Sequence, residues 1–503
     1  MTKSRLIQIT ALVAIFAGCA LRISLYVKNY SLFLDECALV LNVDAQTAGL
    51  GHGPGSFKLP PGVLTENTQL ANQPAPLAFY AAEGVVLKLL GPSEKAARLV
   101  PLLLGLVTLI VFWRLNRQLQ PGWPEAAAVW IAALNPSLIS YSAQAKQYSM
   151  EALAAILILL LCCPFFREAG LSRRRFRVNA IFAALLLWFS FSAVFVLAAV
   201  GLTLLIESLL SRKRERIVRS LEAGTIWIAV FIPVFFVSIR PGLARHTLHD
   251  EWIADYMPRV GPTLIPWLAS KAAEVCVILF NKRLWPLVGA VLVVGLVAAV
   301  RRKEWPYIAA AGGLFVCAIA AAAQLYPFGG RLLLFAVPGL IVVLVRGGRW
   351  IVDILDVRWR PVAQFAVAVA ILWGLQSAVR GTLLTDNFPD EPREALRFME
   401  QNWRPSDHIF ATDYATPCLL YYSPELGLEP SAAELGVNAV EKQGQPTSLS
   451  ISVPSGRVWL VEMRTPWLAR GPSVPIQEFM EAHSRKLAQR DVQWTSVILF
   501  DKP

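Results

Sequence analysis

The chain has 503 residues, 55% of them hydrophobic and only 16% charged, with a formal net charge of +12 and a mean hydropathy of +0.51. That composition excludes a soluble globular protein of this length. It does not point to nucleic acid either, because the basic residues sit in short clusters between apolar runs, as the positive-inside rule places them in a polytopic membrane protein.

Apolar runs able to cross a bilayer, which takes ~20 residues each, lie near 5–25, 98–115, 125–142, 149–166, 221–240, 285–300, 306–325, 331–346 and 361–380. The stretch 178–209 is too long for one helix and is interrupted by Ser190-Phe191-Ser192, so it reads as two short helices joined by a tight turn. Met1 to Cys19 imitates a signal peptide, and Phe16-Ala17-Gly18-Cys19 is close to a lipoprotein cleavage box, but the segment reads as a first transmembrane helix. Residues 76–91 are apolar yet carry Glu83 and Lys88. If they spanned, every later basic cluster would face away from Lys3/Arg5. As an interfacial amphipathic helix they leave Lys3/Arg5, Arg114/Arg117, Arg173/Arg174/Arg175/Arg177, Arg212/Lys213/Arg214/Arg216, Arg301/Arg302/Lys303 and Arg346/Arg349/Arg358/Arg360 on one side, the cytoplasm. The expectation is a mainly α protein of about eleven transmembrane helices, with interfacial helices in a first outer loop at 26–97. The seven cysteines show neither disulfide-framework nor metal-ligand spacing and read as small core residues.

This topology gathers the polar chemistry on the outer face: Asp35/Glu36, Lys146, Ser190/Ser192, the 241–283 loop, Arg331 and everything after 381. An ion-coupled transporter is expected instead to carry ionisable groups near the midplane; here the helix interiors are nearly free of charge, Glu151 being a partial exception. Ser31-Leu32-Phe33-Leu34-Asp35-Glu36-Cys37 sets two adjacent carboxylates where the first helix gives way to the loop. Charge at a bilayer boundary is costly and marks a functional-site hypothesis; the plainer alternative is an N-cap by Asp35. The following helix is expected to lay Cys37, Leu39, Val40 and Val43 on the membrane, with Asn42, Asp44 and Gln46 facing water. Residues 51–65, rich in Gly and Pro, read as loop.

After Arg380 hydropathy falls and Asp/Glu reappear. Residues 391–403 read as a helix, 408–412 and 456–462 as strands, 424–450 as polar loop, 476–490 as an amphipathic helix and 496–500 as a last strand. Alternating strands and helices predict a small α/β domain over 381–503, distinct from a transmembrane domain over 1–380, with acceptor or partner recognition as its expected role.

From Leu34 to Tyr148 the chain resembles the GT-C membrane glycosyltransferases, in particular the bacterial branch related to protein mannosyltransferases and the aminoarabinose transferase of lipid A. The resemblance rests on Leu34-Asp35-Glu36, on Gln73-Pro74-Ala75-Pro76-Leu77-Ala78-Phe79-Tyr80, on Gly91 to Arg98, and on Asn135-Pro136 through Tyr141-Ser142-Ala143-Gln144-Ala145-Lys146-Gln147-Tyr148. Tyr326-Pro327-Phe328-Gly329-Gly330-Arg331 is similar to a later Arg-containing element. Two positions depart from the pattern, Gln73 where the family has His and Lys146 where it has Arg. A lysine still offers a positive charge to phosphate, though without a bidentate fork.

The resemblance implies an enzyme that moves a sugar from a polyprenyl-phosphate donor in the membrane to an acceptor glycan, lipid or protein hydroxyl, inverting, at the periplasmic or exterior face of a bacterial inner membrane. On this reading Asp35 is the general base with Glu36 beside it, Lys146, Arg331 and Tyr148 bind the donor phosphate, and Gln73 and Tyr80 line the substrate pocket. The Walker and Rossmann glycine fingerprints are absent, as befits a donor dissolved in the membrane. No cofactor is assigned and the need for a divalent cation stays open, with Asp35 and Glu36, or His246 and His249, as weak candidates to hold one. Two other functions remain open at this point: a flippase or exporter of a lipid-linked glycan, and a non-catalytic envelope assembly subunit.

Overall fold

The computed structural model describes residues 2–47, 75–167, 171–240, 252–259, 261–280, 283–381, 391–428, 435, 439–440, 448–449, 453–464 and 473–503. Helix α1 (Lys3–Lys28) leads by a short connection into α2 (Leu34–Thr47); α3 (Leu77–Leu90) and α4 (Glu94–Leu119) follow. Then come α5 (Trp123–Leu134), α6 (Pro136–Ser140), α7 (Tyr148–Arg167), α8 (Arg173–Leu185), α9 (Ala193–Ser211) and α10 (Arg214–Val234). The bundle closes with α11 (Leu264–Leu279), α12 (Trp285–Arg301), α13 (Trp305–Ala322), α14 (Val337–Ile354) and α15 (Arg360–Val379). Seven helices among the described residues are long and apolar enough to cross a membrane, and α5 with 136–143, bent by 54°, makes an eighth. Helices α8, α12 and α15 lie at the other expected crossings without counting among these, so the expected eleven is matched only roughly. The chain is a multi-pass membrane protein. Segment 76–91 forms α3, whose 14 residues are too few to span.

The bend between α5 and α6 follows from Asn135-Pro136. Proline cannot donate to the preceding turn, and the Asn135 side chain caps α6 by accepting the Leu138 N–H at 2.8 Å. The same amide donates to Ile278 O and Leu279 O at 2.9 and 3.0 Å, satisfying carbonyls at the end of α11. Arg22, fully buried in α1, donates to Gly18 O at 3.0 Å and Ala133 O at 3.1 Å, covering a carbonyl that the break leaves open. These contacts fix the direction of 136–148, which carries part of the site.

The C-terminal domain contains α16 (Pro392–Asn402), α17 (Thr416–Leu426) and α18 (Ser473–His483). Its main sheet is built from β1 (His408–Ala411), β4 (Gly456–Met463), β5 (Arg485–Val492) and β6 (Thr495–Lys502), in the order β1-β4-β6-β5, with β1 parallel to β4 and the other pairs antiparallel. A two-residue pair, β2 (Ala439–Val440) and β3 (Ser448–Leu449), stands apart. Alternate side chains leave opposite faces of a strand. Thus Val458, Leu460, Ile498 and Phe500 form one core with Ile476 and Met480 of α18, while Trp459, Val461, Val497 and Leu499 form another with α16 and α17. Both faces are covered, which is why the strands read as continuous apolar runs. Two expectations need correction. The amphipathic helix 476–490 ends at His483, and 485–492 is instead an edge strand whose exposed Arg485, Lys486 and Arg490 mimic a helical polar face. Helix α17 extends into the expected 424–450 loop.

Helix α2 does not lie on lipid. Cys37, Leu39, Val40, Val43 and also Asn42 are buried in a core shared with α3, α4 and α17, so the C-terminal domain covers the face expected to meet the membrane. Asp44 and Gln46 have side chains outside the described set. Polar contacts bind the connection 29–32 from both sides. The Glu94 carboxylate accepts from Asn29 Nδ2, Arg393 and the Tyr422 hydroxyl at 2.8–2.9 Å. The same Tyr422 hydroxyl accepts the Leu32 N–H at 2.7 Å, and Glu391 accepts from Ser31 N and Oγ. One turn after Glu94 on α4, Arg98 donates to Tyr30 O and Ser31 O.

Glu36 completes this anchorage. Arg98 meets both its oxygens at 2.9 and 2.7 Å, the Ala145 N–H donates to Oε1 at 2.6 Å, and none of the Glu36 side chain is exposed. Nearby on α3, Glu83 is buried with no hydrogen-bond partner at either oxygen. Burial pushes its carboxyl well above the usual carboxylate range, and the negative charge of Glu36 adds to the shift.

Three outcomes are expected. Glu94→Ala, which strips partners from Asn29, Arg393 and Tyr422 together, lowers unfolding stability in detergent by about 2–4 kcal/mol. Arg98→Met costs about 3–5 kcal/mol by leaving Glu36 charged and unpaired, and adding Glu36→Leu recovers most of the loss in thermal melts, because no buried charge then remains. For Glu83 the folded group holds a proton that the unfolded one releases near its ordinary value. Stability therefore falls as pH rises from that ordinary value toward the folded one. Glu83→Gln, which cannot ionise, loses less stability than the parent between about pH 5 and pH 8, measured by melts across that range.

Candidate active site

The first turn of α2 turns its two carboxylates in different directions, because successive helical residues point about 100° apart. Glu36 faces inward to Arg98 and Ala145, as described above. Asp35 faces two cations: Arg331 at 2.5 Å and Lys146 at 3.9 Å, both to the same oxygen. The Asp35 and Lys146 side chains are only 10% and 5% exposed, whereas Arg331 is 26% exposed and opens the group to its surroundings. Three segments distant in sequence thus meet here, at the end of the bundle that carries the C-terminal domain. Since Glu36 grips the backbone of Ala145, it also places Lys146 next to Asp35.

Arg331 is held between two aromatic rings, with its guanidinium carbon 5.7 Å from the Tyr148 centroid and 5.5 Å from that of Trp252. Tyr148 is in turn braced edge-on by Tyr141 at 5.1 Å. Cation–π contact of this kind holds a guanidinium in place without consuming its N–H donors. The turn before Arg331 is fixed by a second polar group. Lys271 of α11 pairs with Asp255 and, at 2.7 Å, with Glu274; Glu274 accepts the Gly330 N–H, and Asp255 O accepts the Phe328 N–H at 2.8 Å. Gly330 has φ +51°, and a Cβ on Gly329 collides with Asp255 and Lys271, so Gly329-Gly330 is the sequence that lets this turn approach the charged group.

Of the residues singled out from sequence, Asp35, Lys146, Arg331 and Tyr148 come together, with Glu36 directly behind them. Tyr80 packs instead in the core between α3 and its neighbours. Gln73, His52, His246 and His249 lie outside the described residues. Among the described residues no group of three or more His, Cys, Asp or Glu side chains is arranged to hold a metal ion. The Glu36 oxygens are taken by Arg98 and Ala145, and Asp35 faces two cations, a poor donor set for another one. Sequence reading missed Arg98, although its segment was among those noted, and it missed Trp252 and the Lys271 group. For Arg98 the four-residue spacing from Glu94 is a usable signal; Trp252 and Lys271 carry none, since their partners lie on other segments.

Ser190 and Ser192 are buried at the start of α9, where their hydroxyls lie 3.1 Å apart and Ser190 caps the Ala193 N–H. The expected interruption of 178–209 is therefore real, a turn between α8 and α9 with its polar groups satisfied internally.

Residues 72–236 match the profile of the dolichyl-phosphate-mannose-protein mannosyltransferase family. No curated protein sequence is a match. Among solved structures, the apo crystal structure of ArnT from Cupriavidus metallidurans is similar over 98% of this chain and 97% of that one, with a TM-score of 0.55 and 13% identity. ArnT bound to undecaprenyl phosphate aligns over the same shares at TM-score 0.53 and 13% identity. The archaeal oligosaccharyltransferase AglB from Archaeoglobus fulgidus, in complex with an inhibitory peptide and a dolichol-phosphate, is similar over 84% of this chain and 64% of that one, at TM-score 0.51 and 12% identity. At such identities the solved structures speak to fold, which is shared with ArnT almost from end to end. The family profile thus covers the segment that supplies Lys146 and Tyr148, and the likeness of fold to ArnT extends over nearly the whole chain.

Proposed function

We propose that this protein transfers a sugar from a polyprenyl-phosphate carrier to an acceptor hydroxyl at the outer face of a bacterial cytoplasmic membrane, inverting the anomeric carbon. The observation that carries the reading is Asp35 in contact with both Arg331 and Lys146, a carboxylate and two cations at the mouth of the bundle. The undecaprenyl phosphate of one ArnT structure and the dolichol-phosphate of AglB support a lipid phosphate as the donor's head. The outer orientation is supported by the basic clusters Arg173–Arg177, Arg212–Arg216 and Arg301–Lys303, which sit at the opposite ends of the helices from the site.

The acceptor oxygen attacks the anomeric carbon while Asp35 takes its proton. The bond from that carbon to the phosphate oxygen breaks, and the lipid phosphate leaves with the electron pair. Arg331 and Lys146 hold the charge that develops on it, Arg331 already oriented by Tyr148 and Trp252. Without a donor these cations rest on Asp35. A donor phosphate is a stronger partner for them and frees a carboxylate oxygen for the acceptor, so donor binds before acceptor. Glu36, saturated by Arg98 and Ala145, acts as a positioning residue for both Asp35 and Lys146.

Asp35→Asn is expected to slow transfer from a polyprenyl-phosphate sugar by about 10²–10⁴-fold at normal protein abundance. Mass spectrometry of envelope glycolipids and glycoproteins then shows the same missing sugar as deletion of the gene, which identifies donor and acceptor together. Unchanged glycans in the variant overturn the enzymatic reading. Arg331→Ala raises the KM for donor more than the KM for acceptor in the same assay.

A further inference from the structure

We propose that Lys271 is a positioning residue for the lipid-phosphate site: its ammonium fastens segment 252–259 and the turn 326–330 to α11, and through them sets both the backbone and the aromatic cover of Arg331. The inference rests on the reading of Arg331 as a ligand of the carrier phosphate. Lys271 is 8% exposed, and its ion-pair partners are Asp255 and Glu274. With both carboxylates on it, the ammonium is taken up by the fold and is not offered to a substrate. Asp255 belongs to segment 252–259 and also accepts the Phe328 N–H on its main-chain oxygen at 2.8 Å. Glu274, three residues along α11 and so on the same helical face, accepts the Gly330 N–H. One cation thus holds the two acidic residues that secure the turn at its middle and at its end.

Segment 252–259 depends on such contacts, because its regular structure is one short 3-10 turn, Ile253–Asp255, with Ile253 63% exposed. Elsewhere it is held by the Trp267 indole N–H on Ala254 O at 3.0 Å and by the Gln324 amide on Met257 O at 2.8 Å. Those are neutral bonds to main-chain oxygens; Lys271 supplies the charged one, which is the stronger kind. Trp252, whose ring centroid is 5.5 Å from the Arg331 guanidinium carbon, stands three residues before Asp255, and Gly330 stands directly before Arg331. A displacement at Lys271 therefore reaches Arg331 from two directions. Without the ammonium, Asp255 and Glu274 face each other as like charges and repel, so loss of Lys271 moves both and does not merely loosen them. The turn itself stays anchored on its far side, where the Tyr326 ring lies 4.9 Å from Phe195. The effect is confined to the end of the turn that carries Arg331.

Binding of undecaprenyl phosphate to purified full-length protein, titrated by native mass spectrometry, tests this whichever sugar the carrier bears. Lys271→Met is expected to bind it about tenfold more weakly than the parent, within the range that a misplacement of about 1 Å can cost. Lys271→Arg, which restores the cation, recovers most of the loss. In an Arg331→Ala background Lys271→Met weakens binding no further, because it acts through Arg331; a residue that only stabilises the fold has no such coupling. Parental affinity in Lys271→Met, or a loss that adds in full to that of Arg331→Ala, overturns the proposal. Should Lys271→Met fail to fold, Asp255→Asn, which keeps the main-chain oxygen for Phe328 and gives up the ionic hold, is read by the same two criteria. Arg331→Ala with parental affinity discards the reading of Arg331 and this proposal with it, whereas weakened binding in Arg331→Ala beside parental binding in Lys271→Met discards this proposal alone.

Discussion

The Glu36 carboxylate, wholly out of solvent and bound by Arg98 and the Ala145 N–H, is the interaction on which the rest of this site depends. A buried ion pair contributes little net stability, but removing one partner is severe because the other charge is then stranded. That asymmetry suits a register device. Glu36 joins α2, α4 and the turn before α7 at one point, and its geometry admits only one relative placement of them. Asp35 on one side and Lys146 on the other inherit their positions from it.

Around this hub the charges are arranged so that each is answered. Asp35 has Arg331 and Lys146, Glu94 has Arg393 and Tyr422, and Lys271 has Asp255 and Glu274. The groups differ in accessibility. Glu36 and Arg98 are sealed, whereas Arg331 is partly exposed and bound to aromatic rings that leave its donors available. A carboxylate resting on two cations holds both of them in fixed positions close to the surface of the group.

The C-terminal domain is part of this arrangement and not an appendage. Its sheet buries one face against α18, while the other packs on α16 and α17, and α17 closes over α2. Polar contacts from Glu391, Arg393 and Tyr422 reach the backbone of 29–32, which has no secondary structure of its own to satisfy it. The domain thereby holds in place the connection from which the Asp35 helix starts.

Sequence alone determined the class of molecule, because hydropathy and charge clustering reflect the cost of placing each residue in a bilayer and need no tertiary partner to be read. It also marked Asp35, Lys146, Tyr148 and Arg331, since polar groups beside a long apolar run are conspicuous, and it located three of the four strands of the main sheet, which are apolar on both faces. It did not separate the duties of Asp35 and Glu36, which are neighbours in the chain and differ only in direction around a helix. The apolar face of α2 reads as membrane-bound because apolar periodicity records that a face is buried, not what buries it. The edge strand 485–492 was hidden for a related reason: its pairing to β6 lies in another segment, while its own charges follow a helical spacing. Trp252 over Arg331 and Lys271 behind Gly330 exist only once distant segments pack. Each depends on distances in space that spacing along the chain does not encode.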